Sequence, residues 1–420
     1  MHVTEVLVVV IVSVVGSLFV LLGPRNAPAI LVADSIIVEI LHALSSSRLE
    51  YVPWLVTGVV VLLVAWRRPE RDVPPKSVGL GLLAFLYALW AVVVCLVHLP
   101  SDRPYLVGIP FVLLVTFWAL PRLVSVRTMA GPFVQLLATT AVAGAVLALS
   151  AGVAALHFHI GYVVPVGHRH LLAWQWPFAN KNTLGYLEAW AVPAAAGLAV
   201  ITPGGGRALW WLVALMAAAG LGFSYARTAW IAAVVGVLLL AIGRWRWSGV
   251  VGVLVVGLIG AAAVIKKAGL KRLTALWAHG LSGRGGLWRA ALTVTRHHPV
   301  FGVGPGNSPA ALAPYVPPAF RGLTPHDAIL ETLVELGIPG LILLAGVVIM
   351  AIRVAVLRAP TWQHGWALIA LLGAGLTEML AESAFFGGIS FEDYLVTALL
   401  AAVVMWSGNG MGARARRSGR

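Results

Sequence analysis

Long unbroken runs of apolar residues, separated by short polar punctuation, make up most of this chain. Runs near the ~20 residues needed to cross a hydrocarbon layer occur at about 3–22, 51–66, 77–98, 104–120, 130–154, 183–202, 208–223, 227–243, 248–265, 327–351, 364–381 and 393–407. Each predicts a helix, because only an α-helix satisfies its own backbone groups within one segment in lipid. The segment 30–44 departs from the pattern. Asp34, Glu39 and His42 recur there at roughly helical spacing, which predicts an amphipathic helix lying in the interface. The first run is expected to be a retained span. Ala27-Pro28-Ala29 has the small-x-small look of a cleavage site, but only His2 and Glu5 precede or open the run, so the basic start of a leader is missing.

Composition agrees with that pattern. Of the 420 residues 60% are hydrophobic and 10% charged, with a mean hydropathy of +0.93; a soluble domain carries about a quarter charged residues. The chain therefore reads as an all-α, polytopic membrane protein of about twelve helices, one transmembrane domain over 1–420. The net charge of +14 suits basic loops beside anionic lipid, and no nucleic-acid module accompanies it. Cys95 is the only cysteine, so no intrachain disulfide is possible. If the tail 408–420, with Arg414, Arg416 and Arg417, is cytoplasmic, five short basic loops fall on its side, at Arg353/Arg358, Arg244/Arg246, Arg207, Arg122/Arg127 and Arg67/Arg68/Arg71. The opposite face then receives two longer loops, 157–182 and 266–326. The amino terminus is cytoplasmic on this map if 30–44 does not span.

The second loop breaks the positive-inside rule. It carries eight basic side chains, Lys266, Lys267, Lys271, Arg272, Arg284, Arg289, Arg296 and Arg321, and no acidic one. Acid-free positive charge beside a membrane points to an anion, a phosphate first of all. Arg284 and Arg227, which opens the run 227–243, could hold a pyrophosphate with two guanidinium forks; an arginine snorkelling at a helix end is the plain alternative for Arg227. Residues 286–298 read as a helix stopped by Pro299, with Trp288, Leu292 and Thr295 on one face and Arg289, Thr293 and Arg296 on a neighbouring one. Phe301-Gly-Val-Gly-Pro-Gly-Asn307 reads as a tight bend, since no strand precedes it to make a phosphate loop.

His326 opens the next run with Asp327 and Glu331 close by. It is either a polar cap or the base that an attacking hydroxyl needs. Trp174 and Trp176 suit an interfacial belt or sugar stacking, and the donors Asn180, Lys181 and Asn182 follow them. Glu378 and Glu382 are carboxylates that either act or balance the arginines. His168, His170, His297 and His298 have no cysteine or carboxylate cluster at ligand spacing, so no metal and no other cofactor is expected.

In order and spacing, Phe178-Ala-Asn180-Lys-Asn182, Ser224-Tyr-Ala-Arg227, Arg284-Gly-Gly-Leu-Trp288, Pro299-Val-Phe-Gly-Val-Gly-Pro-Gly306 and His326-Asp-x9-Gly337-Ile-Pro-Gly340 resemble the O-antigen ligase and O-antigen polymerase superfamily. The resemblance covers about 178–340, and no single motif carries it. It implies a metal-independent, inverting transfer of a glycan from undecaprenyl pyrophosphate to a hydroxyl, on the outer face of the bacterial inner membrane. Arg227 and Arg284 would bind the pyrophosphate and His326 would activate the acceptor. Arg289, Arg296, Arg321, Asn180, Lys181, Asn182, Trp288 and Asp327 would contact substrate. The His-x-x9-Gly-x-x-Gly spacing leans toward the ligase branch, whose acceptor is lipid A-core. A polymerase acting on another glycan, or a protein O-oligosaccharyltransferase, stays open. So does a lipid-linked sugar transporter, although the polar residues crowd two loops and no inverted repeat stands out. Asp327 stands where the family usually has Asn, Ser or Gln.

Overall fold

A computed structural model describes residues 3–44, 51–67, 78–98, 103–124, 130–166, 169–268, 284–358, 362–380, 382 and 391–406. Its helices are α1 (Val3–Leu22), α2 (Ala27–Leu44), α3 (Val52–Trp66), α4 (Val78–Val97), α5 (Arg103–Leu114), α6 (Leu120–Leu123), α7 (Ala130–His157), α8 (Lys181–Ile201), α9 (Gly206–Ser224), α10 (Arg227–Ala268), α11 (Arg284–His297), α12 (Ser308–Leu312), α13 (Ala328–Arg358), α14 (Gly365–Met379) and α15 (Phe391–Trp406). A hairpin of β1 (Tyr162–Val166) and β2 (Arg169–Ala173) is the one sheet among the described residues. Eight helices there are long and apolar enough to cross a membrane, and Val8–Leu22, Val52–Trp66 and Gly365–Met379 are shorter apolar ones. The chain is an all-α polytopic membrane protein. It divides into two compact units, one of Met1–Thr139, Gly286–Gly365 and Met379–Arg420, the other of Thr140–Gly285 and Trp366–Glu378.

In the first unit α1 packs on α3, α4 on α5 and α13, and α2 on α3 and α15. Trp54 is fully buried there, edge-on to Phe111 and Tyr394 with ring centroids 6.0 and 5.1 Å apart. The expectation for 30–44 is corrected in this unit. Of the three polar residues on α2, Asp34 is buried, Glu39 is half-buried and His42 near the helix end is exposed. The polar spacing thus does not trace one water-facing side, and Pro24–Ala43 has the length and apolarity of a span.

In the second unit α8 packs along α9 and α10 and is buried over most of its length. Small residues permit the close approach: a methyl on Gly185 of α8 would run into Ala226 at the head of α10, and one on Gly236 of α10 would crowd Pro193 of α8. Here too one expectation is corrected. The runs 227–243 and 248–265 are not two spans joined by a basic turn, since α10 continues through Arg244 and Ser248 as 42 helical residues. At 1.5 Å per residue that is ~63 Å of helix, and neither glycine nor proline between Arg244 and Ser248 interrupts it. The short basic loop counted at Arg244/Arg246 is therefore absent. Residues 269–283, including Lys271 and Arg272, and the tail 408–420 lie outside the described residues.

Candidate active site

The motif ending in Gly337-Ile-Pro-Gly340 is a break in α13. Gly337 sits at φ 70°, ψ −172° inside an otherwise helical stretch, a backbone region essentially closed to side chains. Pro339 has no N–H to offer the carbonyl of Glu335 one turn back. The groups left over at such a break must find partners elsewhere, and they do. Val303 N–H donates to Val334 O at 2.9 Å, Gly304 N–H to Glu335 O at 3.0 Å, and Ile338 N–H to Pro299 O at 2.8 Å. Trp90 Nε1 donates to Leu336 O at 2.8 Å while its ring stacks on Phe301, centroids 5.5 Å apart. The glycine-rich turn is thus a bend, as its sequence indicated. Its amides at 303 and 304 are consumed by the broken helix and are not turned toward an anion. Gly302, at φ 62°, is the second obligatory glycine, because a Cβ there would strike the backbone of Val334 and Glu335.

The break gives the first turns of α13 their own direction, and His326 stands at their head. Asp327 Oδ1 accepts from Ile329 N–H and Leu330 N–H, both at 3.0 Å, so its carboxylate caps the helix. Asn and Ser are the other strong caps, which gives a physical reason for a short polar residue after the histidine. His326 itself is held at φ 52°, a left-handed conformation uncommon outside glycine. Its Nδ1 lies 3.1 Å from Glu382 Oε2, the imidazole about a third exposed and the carboxylate nearly buried. With Nδ1–H donating to the carboxylate, Nε2 becomes the nitrogen able to take a proton. Glu378, the other candidate carboxylate, is spent differently, accepting from Trp190 Nε1 within the second unit.

Helix α11 lies beside this joint. Trp288 Nε1 donates to Pro325 O at 3.1 Å, directly before His326, so Trp288 supports the turn. The buried face of α11 is Leu287, Ala290, Ala291, Val294 and Thr295, its apolar members clustered with Leu312, Val316 and Val334. Leu292 is exposed, so the apolar stripe is rotated from the expected Trp288–Leu292–Thr295 face. Arg284 opens the helix half-buried, and Arg289, Arg296 and Arg321 are exposed.

In the second unit the motifs around Asn180 and Arg227 form one corner. Asn180 caps α8 through Oδ1, which accepts from Asn182 N–H at 2.9 Å. Lys181 Nζ donates to Asn182 Oδ1 at 3.0 Å and to Tyr225 O at 3.3 Å. Tyr225 turns the chain between α9 and α10 at φ 54°, and Ser224 Oγ accepts from Ala226 N–H at 3.2 Å. Arg227 follows, half-buried at the head of α10. Burial pushes the Tyr225 phenol above its usual range, so it adds no negative charge beside the arginine. Trp174 is a packing residue, its ring stacked on Phe223 at 4.5 Å and its backbone N–H donating to Phe223 O at 3.0 Å; Trp176 is exposed.

Residues 212–345 match a family model described as O-antigen ligase. Over that stretch the chain is similar to the O-antigen ligase family. The match takes in Arg227, Arg284, Arg289, Arg296, Arg321, His326 and the glycine joint, and it ends before Glu382. Comparison with curated proteins gives no match. At family level the similarity points to a glycosyltransferase-type module that works on a lipid-linked glycan donor and an acceptor in the membrane.

Proposed function

We propose that this O-antigen ligase-type protein transfers a glycan from undecaprenyl pyrophosphate to an acceptor hydroxyl at the bacterial inner membrane, lipid A-core being the favoured acceptor. The observation that carries the reading is the pairing of His326 with Glu382, 3.1 Å apart. The acceptor oxygen attacks the anomeric carbon as the bond from that carbon to the pyrophosphate oxygen breaks, which inverts the centre. The hydroxyl proton passes to His326 Nε2, and Glu382 holds the ring in the tautomer that can accept it. Arg227 and Arg284 take the negative charge of the departing pyrophosphate; groups preorganised for such charge contribute several kcal/mol to a transition state. Exposed Arg289, Arg296 and Arg321 draw anionic lipid and phosphate toward the membrane face they occupy.

The test is incubation of the purified protein with a polyprenyl-pyrophosphate glycan and candidate acceptors, without nucleotide and without an ion gradient. Glycan appearing on a hydroxyl of the acceptor is the expected result, and the product names the branch: ligase, polymerase or protein glycosylation. Movement of the donor across a bilayer with no new glycosidic bond would replace the transferase reading by a transporter.

A further inference from the structure

The β1–β2 hairpin carries a chemistry that the transfer reaction does not use. It is a lone antiparallel pair, Tyr162 opposite Ala173 through Val166 opposite Arg169. Isolated two-stranded hairpins are marginal in water, and strands with one wet face alternate polar with apolar. Strand β1, Tyr162-Val-Val-Pro-Val166, is apolar at every position instead, while β2 opens on the basic Arg169-His170 beside the turn and runs on as Leu-Leu-Ala173. Tyr162 and Val163 are 51% and 53% exposed, and Phe158 just before them 64%.

Two further observations fix what covers these side chains. Helix α7 presents Val142, Val146, Leu149, Val153 and Leu156 as exposed residues at spacings of four and three, a single helical stripe on a span-length helix. Such a stripe faces lipid, and Phe158, Ile160, Tyr162 and Val163 continue it in sequence without a break. The loop 157–182 also holds no acidic residue, so nothing in it opposes contact with anionic headgroups. The hairpin is joined at its base to the Arg227 corner through Trp174 N–H on Phe223 O and the stacked Trp174–Phe223 rings, four residues before Arg227.

We infer that the hairpin is a membrane-interface element, seated among the headgroups and upper acyl chains of the leaflet at that end of the second unit. Seated there, it fixes the depth at which the Arg227 corner meets a lipid phosphate. That last consequence rests on the transferase reading; the seating does not.

The experiment uses the full chain with Cys95 replaced by serine and a single cysteine at Val163, or in a second variant at Phe158. Each is nitroxide-labelled in liposomes containing anionic phospholipid, with a label at lipid-facing Leu149 as reference. Collision with oxygen over collision with a water-soluble nickel chelate gives the depth. The label on the hairpin and the one just before it are both expected to favour oxygen several-fold over the same label free in water, approaching the ratio at Leu149. A ratio equal to that of the free label would place the hairpin in water, and shielding from both quenchers would mean that protein covers it; either overturns the inference. Those outcomes leave the transferase reading untouched, whereas absence of transfer with the depth as expected removes only the link to Arg227.

Discussion

Replacing Gly337 with alanine tests the joint that launches His326. The backbone there, φ 70° and ψ −172°, is open essentially to glycine alone, and holding another residue in such a region costs about 1–3 kcal/mol. A Cβ would also strike the Val300 carbonyl, forcing the Pro299–Gly304 turn away from α13. That displacement threatens three hydrogen bonds, from Ile338 to Pro299 O, Val303 to Val334 O and Gly304 to Glu335 O, each worth about 1 kcal/mol net. The combined cost is roughly 4–6 kcal/mol. Straightening the helix instead is no escape, because Pro339 still withholds its donor and His326 would be redirected. Thermal unfolding of the purified protein in detergent should show a clear drop in midpoint, and glycan transfer should fall with it. Gly81→Ala in α4 meets nothing within 4 Å and should stay within about 0.5 kcal/mol of wild type. Wild-type unfolding and transfer by Gly337→Ala would refute the reasoning about the break.

Glu382→Ala should lower the rate of transfer about 10²-fold, in the range of acid–base contributions, with little change in donor KM; Glu382→Gln, which keeps an acceptor for Nδ1–H, should lose less. Asp327→Ala removes the cap of α13 and should cost about 1 kcal/mol, whereas Asp327→Asn should be near neutral in the same unfolding measurement. Trp90→Phe keeps the stack on Phe301 and deletes the donor to Leu336 O, leaving a buried carbonyl short of a partner; a loss of about 1–3 kcal/mol is expected from thermal unfolding.

What the sequence disclosed followed from periodicity and local chemistry. The apolar runs announced the helices, the glycine-rich turn read as a bend, and residues 286–298 read as a helix stopped by Pro299. Its face came out rotated because the pattern does not say that Leu292 lies outside the cluster of Leu287, Ala291 and Val294. Helix α2 was misjudged for a related reason: a polar residue at helical spacing marks a special face, and only packing decides whether that face meets water or other helices. The continuity of α10 was hidden because Arg244 and Arg246 look like a basic loop, yet both residues are compatible with a helix interior. The His326–Glu382 pair could not be read at all, since no local rule links residues 56 apart; Glu382 was visible only as a costly carboxylate in an apolar setting.

In the proposed reaction His326, oriented by Glu382, takes the proton of an attacking hydroxyl. The most direct test of that step is the single-turnover rate of glycan transfer from a polyprenyl pyrophosphate donor by purified wild-type and His326→Ala proteins of equal thermal stability. The variant should be slower by about 10²-fold or more, with donor binding retained. Transfer by His326→Ala at the wild-type rate would contradict that role.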